Sequence, residues 1–145
     1  MDITKIEEIL GYTFSNKNLL LRALTRKAFA KEQQDRNQDC DDQEVRSTLG
    51  DAVWGLVLAD LMYPDCVTKE ELTNKRKEFV NETAQTEIAQ RLEIEQFIRM
   101  TNGERKDEYR VAILEATLEA LVGAIFIDAG YDETNKVVGK WLHFA

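Results

Sequence analysis

Proline and histidine each occur once in this 145-residue chain, at Pro64 and His143, beside two cysteines and seven glycines. With so few chain breakers and no Gly/Ser-rich run, flexible linkers and low-complexity segments are excluded. A single histidine near the C-terminus argues against a zinc site and against His-centred acid–base catalysis. No glycine-rich loop is present to cradle a phosphate. Cys40 and Cys66 sit among polar residues at the ends of predicted elements and are expected to be free thiols. Uninterrupted apolar runs fall short of the roughly 20 residues that span a membrane. Met1-Asp-Ile-Thr-Lys-Ile-Glu-Glu8 has neither the basic nor the apolar region of a secretory leader. The expectation is a cytoplasmic protein without a membrane partner. An excess of positive charge is also missing: 19 Lys and Arg face 27 Asp and Glu, net −8. That sign disfavours nucleic acid, although a local basic patch or a bound cation overrides the total.

What is present is a globular composition, 43% hydrophobic and 32% charged, long enough for one domain over residues 1–145 with one core. Periodicity predicts helices throughout and no strand, so the fold class is all-α. Ile3 to Leu10 reads as a short amphipathic helix closed by Gly11, and Ser15 as the cap of a second one carrying Leu19, Leu20, Ala23 and Leu24. Residues 31–43 lack an apolar period and are expected to form a solvated loop. From Glu44 to about Tyr63 the chain is apolar nearly all round, which predicts a central buried helix with Trp54 in the core, stopped by Pro64. Thr68 with Glu71 forms a capping box for a helix through Phe79. Helical pattern follows over 82–92 and 94–100, then a polar loop over 101–108. A second all-round apolar helix runs from Ile113 to Ile127, and Asp132 is expected to cap a last helix ending at Leu142.

The chemistry lies in carboxylates inside the two apolar helices: Asp51 in the first, Glu115 and Glu119 in the second. A buried carboxylate has to be hydrogen-bonded, paired, protonated or bound to a cation. At about 100° per residue, Glu44 and Asp51 lie two turns apart nearly in line, and Glu115 and Glu119 share a face. Two such helices in contact would form an oxygen-ligand pocket suited to Mg²⁺ or Mn²⁺, ions that activate water and stabilise charge on a phosphodiester. The same spacing also fits an Asp51 that merely hydrogen-bonds neighbouring amides and a solvated Glu44. Lys75-Arg76-Lys77, with Arg26, Lys27 and Arg46, could contact a phosphate backbone, and surface solvation explains them equally well.

Leu10-Gly-Tyr-Thr-Phe14 followed by Leu19-Leu-Leu-Arg-Ala-Leu-Thr25 resembles the opening of a ribonuclease III domain. Leu49-Gly-Asp-Ala-Val-Trp-Gly-Leu56 is similar to the second half of that family's signature. Leu72-Thr-Asn-Lys-Arg76, Val80-Asn81 and the run Thr117 to Gly130 resemble its later blocks. The blocks stand in family order over nearly the whole chain. The resemblance implies a helical homodimer that lays double-stranded RNA along a valley between protomers and hydrolyses phosphodiesters with Mg²⁺. The double-stranded-RNA-binding domain that usually follows is not expected within residues 1–145.

Residue by residue, the family's Glu-x-x-Glu-x-x-Gly-Asp is here Glu44-Val-Arg-Ser47-Thr-Leu-Gly50-Asp51, and its Asp-x-x-Glu is Ala116-Thr-Leu-Glu119. The resemblance therefore implies Asp51 and Glu119 as catalytic metal ligands, with ligand positions lost at Ser47 and Ala116. The family's Thr-His-x-Ser is Thr25-Arg26-Lys27-Ala28. Glu44 keeps the first acidic position, and Glu115 adjoins the lost Asp but points about 100° away from it. A rebuilt set of Glu44, Asp51, Glu115 and Glu119 is geometrically conceivable. The expectation is a homodimeric binder of double-stranded or structured RNA with weak or lost nuclease activity. The rivals are an active Mg²⁺- or Mn²⁺-dependent endonuclease using that set, and a dimerisation module with no RNA role.

Overall fold

Asp2 opens the first helix by accepting from the Lys5 amide at 3.1 Å, and Gly11 closes it in the left-handed conformation, φ 75°, where a side chain would be strained. The computed structural model describes residues 1–142, so His143 lies outside the described residues. Eight helices follow one another: α1 Ile3–Leu10, α2 Lys17–Ala23, α3 Lys27–Asp35, α4 Glu44–Met62, α5 Lys69–Lys77, α6 Glu82–Arg91, α7 Asp107–Ala129 and α8 Tyr131–Leu142. Short 3₁₀ turns at Tyr63–Asp65, Ile94–Phe97 and Gly103–Arg105 join some of them. No strand occurs among the described residues; one isolated parallel bridge pairs Thr25 with Arg99.

The helices α4 and α7 form the central pair, and α2, α6 and α8 pack on α7. Their crossing is backbone on backbone. A Cβ added to Gly50 would lie 1.6 Å from the Glu119 carbonyl oxygen, and one added to Gly123 would lie 2.3 Å from that of Arg46. Only glycine at both positions allows this approach. Around the crossing, Trp54, Leu58, Leu114, Leu118 and Leu121 are fully buried, each such side chain contributing roughly 1.5–3 kcal/mol of transfer free energy. The buried indoles are also satisfied: Trp54 Nε1 donates to the Phe79 carbonyl at 3.2 Å and Trp141 Nε1 to that of Leu10 at 2.9 Å. Asp128, at the end of α7, accepts from Tyr12 Oη at 2.5 Å and from the Ser15 and Asn16 amides at 2.8 and 3.0 Å, which fixes the α1–α2 connection.

Several sequence expectations are corrected. Residues 27–35, half of them within the expected loop, form α3, because Ala30 is buried and Phe29 lies 5.0 Å beneath the Arg99 guanidinium, giving the segment an apolar side. Asn16, not Ser15, caps α2 through the Asn18 amide. Helix does not continue over 94–100: Glu93 takes φ 54°, and Arg99 becomes extended because its amide and carbonyl bond Leu24 and Arg26 at 2.7 and 2.9 Å. The helix α7 starts at Asp107, well before Ile113, and Asp132 lies in the first turn of α8 instead of capping it. Nor is α4 buried all round. Val45 is 77% exposed, Leu56 56% and Tyr63 59%, and with Ala52 they follow one line along the helix at spacings of 7, 4 and 7 residues. The sequence reads this helix as buried because an exposed apolar stripe and a core stripe together leave no polar side.

Candidate functional site

The crossing of α4 and α7 determines where the acidic side chains meet. Asp51 follows Gly50 directly, and Glu119 carries the carbonyl that Gly50 packs against, so the two carboxyl groups are delivered to the same point. Asp51, by hydrogen bond and by charge, favours the protonated form of Glu119. Glu115, one turn before Glu119 on the same face of α7, is within the field of Asp51 and hydrogen-bonds Glu82. Glu82 occupies the first position of α6, whose N-terminus is held by Asn81: its Oδ1 accepts from the Ala84 amide at 2.8 Å, and its Nδ2 donates to the Lys77 carbonyl at 2.7 Å. The N-terminus of α4 is fixed just as firmly. Buried Gln43 donates to the Ala23 carbonyl at 2.8 Å and to Thr117 Oγ1 on α7 at 3.1 Å, while its own carbonyl oxygen accepts from Arg26.

Asp51 and Glu119 are thus neighbours across the crossing, with Glu115 within the field of Asp51. Burial, followed by the hydrogen bond and charge of Asp51 and the charge of Glu115, pushes the Glu119 carboxyl up to about 8. Glu115 is raised as well, first by burial and then by Glu82 and Asp51. None of the ion pairs among the described residues reaches these three groups. Among those residues no three His, Cys, Asp or Glu side chains already surround one point as an ion would require. The donor set is nevertheless of the chemical kind a hard cation takes. It is all oxygen and anionic, it comes from fixed backbones, and its protons are what a divalent ion would displace.

The expected residues divide accordingly. Asp51, Glu115 and Glu119 come together, although Asp51 is exposed, Glu115 half-buried and only Glu119, 8% exposed, is buried; the reading of all three as buried is corrected. Asp51 stays open because it flanks the exposed stripe of α4. Glu44 does not join them: it stands exposed at the start of α4, 3.5 Å from Lys27 Nζ. Ser47 and Ala116 are half-buried and offer no carboxylate. Among the cations, Arg26 is occupied internally, its Nε donating to Glu104 at 2.9 Å and its Nη1 to Gln43 at 3.0 Å, so it is removed from the phosphate-contacting set. Arg46 and Arg76 turn their Nε atoms inward, and Arg76 lies over α4, its Nη2 3.3 Å from where a Cβ of Gly55 would stand. Lys27 and Lys77 face solvent and Lys75 is half-exposed.

The description "Ribonuclease-III-like" belongs to the family model that matches residues 16–144, a span containing Asp51, Glu115 and Glu119. The chain belongs to this family. Its fold is that of a ribonuclease III nuclease domain: the nuclease domain of ribonuclease III from Campylobacter jejuni superposes with a TM-score of 0.85 at 31% identity, covering 98% of this chain and 96% of that one. Among curated relatives, Ribonuclease 3 of Syntrophotalea carbinolica is 36% identical over 92% of this chain. That of Natranaerobius thermophilus is 34% identical over 94%. The chain spans 58% and 60% of the length of those two relatives. In this ribonuclease III-like chain the acid pair on the α4–α7 crossing retains a carboxylate from each helix, and the neighbouring acid is Glu115. No helix among the described residues is long and apolar enough to cross a membrane.

Proposed function

We propose that two copies of this ribonuclease III-like domain pair along the exposed apolar stripe of α4, bind double-stranded RNA, and hydrolyse it slowly with a divalent cation held at Asp51 and Glu119 beside Glu115. The observation that carries this reading is the close approach of Gly50 to Glu119, which sets the Asp51 carboxyl of α4 beside that of Glu119 on α7 with no ion pair among the described residues reaching either. Like charges held together in this way are costly unless protons or a cation intervene.

Asp51 and Glu119 hold the ion, and Glu115 supplies charge from the next turn of α7. Mg²⁺ or Mn²⁺ at such a site activates water and neutralises charge developing on a phosphodiester. Ser47 and Ala116 leave the ligand set short, which is why hydrolysis is slow. Lys27, Lys75 and Lys77 supply phosphate contacts on the outer surface, a few charges whose effect weakens with salt. The stripe Val45, Ala52, Leu56 and Tyr63 gives the homodimer its apolar contact. The C. jejuni nuclease domain is described as having a region involved in dimer formation, which supports that assembly.

The test is incubation of the purified chain with perfectly paired RNA in Mn²⁺ or Mg²⁺, beside Asp51→Asn and Glu119→Gln. Metal-dependent cleavage lost in both variants is the expected result. Retarded but intact RNA at millimolar Mn²⁺ would make the domain a binder without chemistry. No interaction with RNA at low salt would leave a dimerisation module.

A further inference from the structure

A cleft of about 470 Å³ opens between α1, α3 and the chain that joins α6 to α7. None of its lining residues belongs to α4 or α7, so it stands apart from the acids of the crossing. Its charged side chains are Lys5, Arg99 and Arg105 against the single carboxylate of Asp2, a local excess of positive charge in a chain whose net charge is −8. Elsewhere Lys17, Arg22, Arg26, Lys27 and Arg110 are each paired with a carboxylate, whereas the three cations of the cleft are in no ion pair among the described residues. Two of them are held by uncharged groups instead. Lys5 Nζ stands 5.9 Å from the centre of the Phe97 ring and donates to Gln96 Oε1 at 3.4 Å. The Arg99 guanidinium lies over the Phe29 ring at 5.0 Å and donates from Nη2 to Cys40 Sγ at 3.1 Å. A ring or a neutral acceptor orients a cation and leaves its full charge in place, where a carboxylate would cancel it. Arg105 is exposed, and its guanidinium has no partner among the described residues.

We infer that this cleft binds a phosphomonoester carried on a small organic group, about the size of a mononucleotide. The charge balance selects the monoester. With a second pKa near 6 it carries close to two negative charges at about pH 7, which three cations against one carboxylate match. Each phosphodiester of an RNA backbone carries only one. The two guanidinium groups offer the planar pairs of N–H donors that fit phosphate oxygens, and Lys5 adds a point charge. Phe29, Phe97, Ile98 and Met100 line the same cleft and give the group that bears the phosphate an apolar wall. The volume lies within the range of roughly 300–1,000 Å³ that small-molecule sites occupy. A free nucleotide and the 5′-phosphorylated end of an RNA strand both present this chemistry.

The experiment is calorimetric titration of adenosine 5′-monophosphate, in EDTA, into the full chain, Lys5→Gln, Arg105→Gln and Lys136→Gln, each checked for unchanged helicity and melting temperature. Adenosine is the second ligand. Lys5, Arg105 and Lys136 are all exposed, and Lys136, on α8, serves as the charge control. The expected result is binding of the monophosphate by the parent and by Lys136→Gln, weakening of about tenfold or more in Lys5→Gln and in Arg105→Gln, and far weaker binding of adenosine. A short single-stranded RNA with and without a 5′-phosphate separates the two sources. Preference for the phosphorylated strand, lost in Arg105→Gln, assigns the cleft to an RNA end; equal binding of the two strands beside binding of the monophosphate assigns it to a free nucleotide. No binding of the monophosphate by the parent at millimolar concentration overturns the inference, as does binding by either cleft variant equal to the parent. Equal weakening by Lys136→Gln also overturns it, since bulk charge would then suffice, and so does adenosine binding as tightly as its monophosphate.

Discussion

Replacing Asp51 by Asn should make the folded chain less stable at pH 5 and more stable at pH 9. In the folded state the Glu119 carboxyl is pushed from 4.5 up to about 8, by burial first and then by Asp51. Below pH 4.5 the group is protonated folded or unfolded, and its stabilising proton is fully present. Between 4.5 and 8 the unfolded chain has lost that proton while the folded chain keeps it, so stability falls with rising pH by up to about 1.4 kcal/mol per unit. Above 8 the full penalty stands. A span of about 3.5 units corresponds to roughly 5 kcal/mol as an upper limit. Asp51→Asn removes the second and third causes and leaves burial, so we expect it to recover on the order of 2 kcal/mol of that sum at high pH. At low pH the same change replaces a charge-assisted hydrogen bond by a neutral one and costs about 1 kcal/mol. The sign of the difference therefore crosses between pH 5 and 9. Urea titrations in EDTA at pH 5, 7 and 9, followed by the fluorescence of buried Trp54 and Trp141, measure it. A difference independent of pH would refute the hold of Asp51 on the Glu119 proton.

The other predictions concern the scaffold and its surfaces. Gly50→Ala places a Cβ 1.6 Å from the Glu119 carbonyl oxygen, so α4 and α7 must separate. We expect a loss of about 3 kcal/mol or more, read as a melting-temperature drop of roughly 10 °C, and a near-normal melting temperature would show that the crossing is not tight. Leu56→Asp puts a charge in the middle of the exposed stripe of α4; sedimentation should show a dimer becoming monomer with helicity unchanged. Lys75→Glu/Lys77→Glu should weaken retention of double-stranded RNA and lower the salt dependence of binding by about two charges, whereas Arg26→Gln should act through stability, because Arg26 is held by Glu104 and Gln43.

Helix identity and the two central elements were legible because periodicity and family motifs agree: the run around Leu49 to Leu56 and that from Thr117 to Gly130 fall in α4 and α7. The extended path of Arg99 was not, since its cause is a backbone pairing with Leu24 and Arg26 more than seventy residues away. Nor was the helix α3, whose apolar side rests on Phe29 and Ala30 in an otherwise polar stretch. At the site, the sequence pointed to Asp51, Glu115 and Glu119, because intrahelical spacing is a local property. It offered Glu44 as a possible addition on its alignment with Asp51, beside the alternative of a solvated residue, and could not see Lys27 beside it. Exposure of the α4 stripe was hidden for a related reason. An apolar residue facing solvent and one facing the core look alike in one chain.

The central claim is that the converging carboxylates form a cation site, and anomalous scattering from crystals grown with Mn²⁺ tests it most directly. The account predicts a peak beside Asp51 and Glu119, absent from crystals of Asp51→Asn/Glu119→Gln. Peaks confined to other surface carboxylates would contradict it.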